Sequence, residues 1–173
     1  MIVKQKQYTP PPEGIHPAVC VDVVDLGMEE TPWGSLHKCR VTWEIAHTMS
    51  DGRRFTANKK YTVSLHEKSN LFKDLKAWRG RPFTAEELAG FDLEKILGAP
   101  CQLVITHEEK EGKVYGNITA LLKADAKNRL QASGAFIRVK DREGYVAPKS
   151  ATPAVEVEPE EAPSQGDTDE VPF

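Results

Sequence analysis

Apolar and polar residues alternate along most of the chain up to Lys123, and the period of that alternation changes once. Ala18 to Leu26 is a β-rich run carrying Val19, Cys20, Val21, Val23 and Val24, and reads as a first strand. Gly27 to Ser35 reads as a loop around Thr31-Pro32-Trp33-Gly34. Leu36 to Ile45 predicts a second strand, with Cys39, Val41, Trp43 and Ile45 on one face and Lys38, Arg40, Thr42 and Glu44 on the other. Asp51-Gly52 is a turn signal, and Arg53 to Ser64 follows as a third strand. Before all of these, residues 1–17 form an extended lead-in, because Thr9-Pro10-Pro11-Pro12 and His16-Pro17 disfavour helix.

The period then lengthens from two to roughly 3.6 residues. Ser69 can cap a helix whose Leu71, Leu75 and Trp78 share one stripe and which Gly80 ends. Thr84-Ala85-Glu86-Glu87 reads as a capping box, with Phe83 and Leu88 as its hydrophobic staple. Asp92 starts another short turn, with Phe91 and Ile96 as a second staple, stopped by Gly98 and Pro100. Cys101 to Glu108 predicts a fourth strand, Glu109 to Lys113 a charged turn through Gly112, and Val114 to Leu122 a fifth strand. Three strands, a helical connection and two further strands make a mainly β chain. They are also the connectivity of the five-stranded oligonucleotide-binding (OB) barrel, with its helical insertion between strands 3 and 4. The expected organisation is a barrel over 1–123, an accessory segment over 124–147 and a disordered acidic tail over 148–173. Within the accessory segment, Asp125 to Ala132 suits a short helix and Phe136 to Val146 a strand or small hairpin. From Pro148 the chain is Pro, Ala, Glu, Ser and Gly-rich and carries no aromatic until Phe173, too little apolar surface to order itself.

Charge sharpens this division. Residues 151–173 hold seven of the 26 acidic residues and none of the 23 basic ones, which leaves the first 150 at a formal +4. A basic body with an acidic tail suits a body that meets phosphates and a tail that does not. The strands bring candidates for that contact: Lys38 and Arg40 on the polar face of the second strand, and Arg53, Arg54, Phe55, Lys59, Lys60 and Tyr61 along the third. A groove for single strands needs cations for phosphates and exposed rings for bases. Arg54 and Lys60 suit phosphates. Phe55 and Tyr61 are either stacking platforms or core. Lys59 falls on their side of the strand, which implies either a β-bulge or a face that is not a closed core. Trp33 either stacks on a base or folds back as a lid on the barrel. Lys110 and Lys113 in the last turn are diluted by Glu108, Glu109 and Glu111, and Arg79 and Arg81 suit a helix C-terminus.

The chain closes on Asp167-Thr168-Asp169-Glu170-Val171-Pro172-Phe173. A terminal phenyl ring beside the chain carboxylate fits an apolar pocket rimmed by Arg or Lys, and Asp167, Asp169 and Glu170 can pair with the rim. This tip resembles that of bacterial and phage single-stranded DNA-binding proteins. The resemblance implies an OB fold that coats single-stranded DNA during replication, recombination or repair, and a tip, through Val171, Pro172 and Phe173, that recruits partner enzymes. It also raises the possibility of a homo-oligomer. The absence of a Gln/Gly-rich linker and the long insert from Ser69 to Leu97 bring the chain closer to divergent phage versions and argue against the usual tetramer.

Other chemistry has little support. Cys20, Cys39 and Cys101 are widely spaced among apolar residues and suit buried, reduced thiols rather than zinc ligands. There is no Walker-type phosphate loop, no glycine-rich dinucleotide fingerprint, no H-E-x-x-H and no G-x-S-x-G. No cofactor, metal or membrane contact is expected, and the expected location is the cytoplasm. The alternatives to DNA binding are a protein-interaction adaptor, with a barrel that binds protein and a tail that docks a host factor, or an enzyme such as a nuclease whose site carries no signature.

Overall fold

The computed structural model describes residues 9–148. The acidic tip and nearly all of the expected tail lie outside the described residues. Alternation produces five antiparallel strands in one sheet: β1 (Gly14–Thr31), β2 (Gly34–Thr48), β3 (Arg54–Thr62), β4 (Pro100–Lys110) and β5 (Lys113–Lys123), in the order β3-β2-β1-β4-β5. The chain is therefore mainly β, with few helices. β1 is the shared strand: Gly14 to Val19 pairs with β4, while Ala18 to Thr31 pairs with β2. Irregularities between Cys20 and Asp22 and between Asp25 and Gly27 bend it as it changes partners. β3 and β5 are the two edges, with no hydrogen-bonded ladder between them, so the sheet is not closed. Helix α1 (Asn70–Arg79) packs against both edges.

β1 is longer than its apolar run implied. Its start lies inside the expected lead-in, and Pro17 occupies a paired position opposite Gln102. The remaining lead-in is pinned beside β4 and β5: His107 bonds the Pro11 carbonyl at 2.7 Å, and Glu13 accepts from the His107 amide. Pro11 also crowds the place where a side chain at Gly116 would start, so a larger residue there would have to push the proline ring aside by a few tenths of an ångström. The expected loop from Gly27 to Ser35 shrinks to a turn at Pro32-Trp33, because Thr31 and Gly34 already pair and the Thr31 hydroxyl donates to the Gly34 carbonyl at 2.7 Å.

The core lies on the inner face of the sheet, where Val41, Trp43 and Ile45 meet Leu71, Leu75 and Trp78 of α1 and the fully buried Ile96. Trp43 and Trp78 pack with ring centroids 5.8 Å apart, and the Trp78 indole N–H donates to the Pro100 carbonyl at 2.8 Å. Cys20, Cys39 and Cys101 are free thiols buried in this core. Burial pushes the Cys20 thiol up to about 12 and Cys39 up to about 11.

The helical connection follows its caps. Ser69 Oγ accepts from the Phe72 amide at 3.1 Å, and Gly80 ends α1 in the left-handed region at φ 69°. Thr84 and Glu87 complete the capping box of helix α2 (Ala85–Ala89), and Asp92 caps a 3-10 turn over Leu93–Ile96. The Phe83–Leu88 staple does not organise this region. Leu88 stays 46% exposed, and the Phe83 ring stacks on Phe72 at 5.3 Å and meets Phe91 edge-on at 5.5 Å. The Arg79 guanidinium lies over Phe83 and donates two hydrogen bonds to Glu87.

The accessory segment takes neither expected form. Asp125 to Ala132 has no helix, and Phe136 to Val146 contains one 3-10 turn, Val139–Asp141, and no strand. Its backbone path is set by anchors on the sheet rather than by its own alternation.

The Arg79 hydrogen bonds, followed by the Thr84 amide, hold the Glu87 carboxyl at about 2 against an ordinary 4.5. A depressed carboxylate stabilises the fold fully above its unfolded value and loses that contribution as pH falls through the folded one. Glu87→Gln is therefore expected to lower the Tm at neutral pH and to flatten its fall between about pH 4.5 and 2. An acid limb identical to that of the wild type would disprove the clamp.

Candidate nucleic-acid interface

The expected binding residues divide between the two faces of the sheet. On β3, Phe55, Ala57 and Tyr61 are buried inward. Phe55 and Tyr61 are thus core residues and not platforms for bases. Lys59 shares their face without any bulge, since β2 and β3 stay in unbroken register from Lys38↔Thr62 to Glu44↔Thr56. Its inward charge is answered by α1: Lys59 Nζ lies 2.6 Å from Asp74 Oδ2, which also accepts from the Tyr61 hydroxyl at 2.8 Å. Burial, with Asp74 second, drives the Tyr61 phenol well above its usual range. Lys59 therefore holds a helix, and the phosphate role expected of it does not fit its position.

The outer face keeps the other cations. Lys38 donates to Thr62 Oγ1 at 2.7 Å, and Arg40 stands directly opposite Lys60 across the strand pair. Lys60 also pairs with Glu29, but both partners are about half exposed, and such pairs contribute little. Lys38 and Lys60 open onto a cleft of about 470 Å³ that also takes in His66, Lys68 and the α1 cap, Ser69. No acidic side chain lines it. Lys68 carried no sequence signal beyond its place just ahead of the helix. At the near end of the β1–β2 ribbon, Trp33 is 87% exposed, and its amide is held by Thr31 Oγ1 at 3.3 Å. It is not folded back as a lid.

The other end of the outer face is covered. Residues 124–147 form a strap over β1 and β2, anchored by Asp22, a carboxylate only 1% exposed on the outward side of β1. Arg138 Nε donates to Asp22 Oδ1 at 3.0 Å, and the Val139 amide donates to Oδ2 at 2.8 Å. The same guanidinium makes two hydrogen bonds to Glu94, at 3.0 and 2.9 Å. Arg54 belongs to this assembly too: its Nη1 donates to the Gln131 carbonyl at 2.6 Å and lies 3.9 Å from Glu44. A guanidinium that ties down the strap is poorly placed to serve as a free phosphate contact. Arg53 is exposed but bidentate on Asp51, at 2.8 and 2.6 Å. Thr42 and Glu44, expected on an open polar face, are 7% and 2% exposed beneath the strap.

Between the strap and the β2–β3 corner lies a second cleft, of about 360 Å³. Glu44, Met49, Arg53, Arg54, Phe136 and Arg142 are among its lining residues. The tip residues Asp167 to Phe173 lie outside the described residues. Among the described residues no cluster of His, Cys, Asp and Glu is arranged to hold a metal ion, and no helix is long and apolar enough to cross a membrane. No family model matches the chain, and no curated protein resembles it significantly.

Removing the strap's anchor should cost more than removing an exposed ion. Arg138→Ala leaves a buried carboxylate uncompensated, an effect of about 3–5 kcal/mol. Hydrogen exchange should then accelerate across 124–148 ahead of the strands. Uniform loss of protection throughout the sheet would mean that the strap is part of the core rather than a cover on it.

Proposed function

We propose that this chain is a non-catalytic single-stranded DNA-binding protein built on an OB-type barrel, and that its acidic tip recruits replication, recombination or repair enzymes. The strand order, the passage of β1 between two partners and the placement of α1 across the open edges support the barrel reading. One observation carries the binding reading: the cleft of Lys38, Lys60 and Lys68, free of lining carboxylates, at the β3 edge beside the α1 cap. Arg40 continues it along the sheet, and the exposed Trp33 stands off the same end. Cations spaced along a groove track a sugar–phosphate backbone without reading sequence, and an indole projecting from a ribbon offers a face to a base.

Calorimetric titration with oligo-dT tests this. Affinity is expected to fall steeply with salt. Replacing Lys38, Lys60 and Lys68 together by Ala should weaken binding and reduce the salt slope by up to about three units, while Arg54→Ala, whose guanidinium is tied to the Gln131 carbonyl, should leave the salt slope unchanged. Trp33→Ala should lose about 1–3 kcal/mol of affinity and leave the fold intact. Absence of binding even at low salt would sink the proposal in favour of the adaptor.

The tip is separable from the groove. Deleting Phe173, or extending the chain beyond it, should abolish recovery of partner proteins from a host lysate while leaving DNA affinity nearly unchanged. Only a terminal Phe places ring and carboxylate on one residue. Equal recovery by wild type, deletion and extension would reduce the tail to a solubilising acidic segment.

A further inference from the structure

The cleft under the strap has a floor unlike that of the lysine cleft. Glu44 is 2% exposed, yet its contacts are long: Oε1 accepts from the Ser133 amide at 3.4 Å, and Oε2 lies 3.9 Å from Arg54 Nη1. A carboxylate so deeply buried is normally satisfied by several short hydrogen bonds. Here its remaining acceptor capacity faces open space, because Glu44 lines the 360 Å³ cleft and also a smaller one of about 180 Å³ on the other side of the strap.

The walls supply what a flat heterocycle needs. Phe136 and Met49 are half-buried apolar side chains, and Ile137 is 62% exposed at the mouth. The Arg142 guanidinium sits 5.5 Å from the centroid of the Phe136 ring, with its Nε donating to the Ile137 carbonyl at 3.1 Å and its terminal nitrogens left for an anion. Arg53 lines the same cleft on an exposed side chain. The volume lies in the range of ordinary small-ligand sites. An acceptor at the floor, apolar walls and the Arg142 guanidinium at the rim match a nucleotide: base inward, phosphate outward.

We infer that this cleft takes one base of the bound strand and reads it through Glu44, favouring bases that present an exocyclic amino group. This rests on the single-strand-binding reading and adds a specificity that the lysine cleft lacks. An ionised carboxylate only accepts hydrogen bonds, so it pairs with the N4 amino group of cytosine. Thymine places a carbonyl oxygen at the corresponding position and meets the carboxylate acceptor to acceptor. The strap is then a wall of the DNA path, and Arg54, by holding Gln131, positions that wall.

Calorimetry with three pyrimidine oligomers of equal length tests the inference on the full chain: oligo-dC, oligo-dT, and an oligomer of N4,N4-dimethyldeoxycytidine, which keeps the cytosine ring but has no N4 hydrogen. Wild type is expected to bind oligo-dC roughly tenfold more tightly than oligo-dT, with the dimethylated oligomer no better than oligo-dT. Glu44→Gln, whose carboxamide can donate as well as accept, should erase the difference between dC and dT. Equal wild-type affinity for dC and dT, or a preference that survives either N4 methylation or Glu44→Gln, would overturn the base-reading role while leaving the DNA-binding proposal standing. Binding to none of the three would overturn that proposal itself. The methylated oligomer needs no variant, so the test holds even if Glu44→Gln fails to fold.

Discussion

A carboxylate on the wrong side of a sheet governs the architecture of this protein. Asp22 points away from the core and is nevertheless sealed from water, a position that costs several kcal/mol unless the charge is met. It is met by Arg138, 116 residues later in the chain. The exposed pairs of the surface are worth at most about 1 kcal/mol each and can form or break with little consequence. The Asp22–Arg138 contact has no such freedom. It fixes where the strap lies, which residues of β2 it covers and where the outer face remains open. The cleft between the strap and the β2–β3 corner keeps its present form because this contact holds the strap in place.

A second sorting acts on the basic residues. Lys59 and Lys60 are neighbours in sequence, but the pleat sends one toward Asp74 and α1 and the other to the outer face. Arg79 and Arg54 are likewise committed to internal partners, Glu87 and the strap. The formal +4 of the first 150 residues thus overstates the number of cations free to meet a polyanion. What matters is that Lys38, Arg40 and Lys60 fall on the outer side, with Lys68 lining the same cleft at the β3 edge.

The strands and caps were legible in the sequence because their signals are local. The alternation of Cys39, Val41, Trp43 and Ile45 needs only a pleat and a core, and Ser69, Gly80 and Thr84 act on amides within a few residues of themselves. The ends of β1 were not legible, since Pro17 and the stretch past Gly27 are held by cross-strand pairing rather than by apolar content. The strap was hidden for a stronger reason. Nothing near Arg138 announces Asp22, and nothing near Glu44 shows that a distant segment will bury it. Lys59 was correctly flagged as anomalous, but its explanation sits on a helix 15 residues away.

The three indoles occupy contrasting surroundings, and this makes the chain a built-in optical probe. Trp43 and Trp78 lie against each other in the core, each at most 2% exposed, and belong to the blue side of the emission band. Trp33, at 87% exposed, belongs to the red side and is open to collisional quenchers. Iodide or acrylamide at modest concentration therefore addresses the ribbon tip almost alone, while a shift of the blue component reports on the packing between α1 and the sheet. Occupancy of the tip and integrity of the interior can be followed in one unlabelled sample, at two wavelengths, without altering a residue.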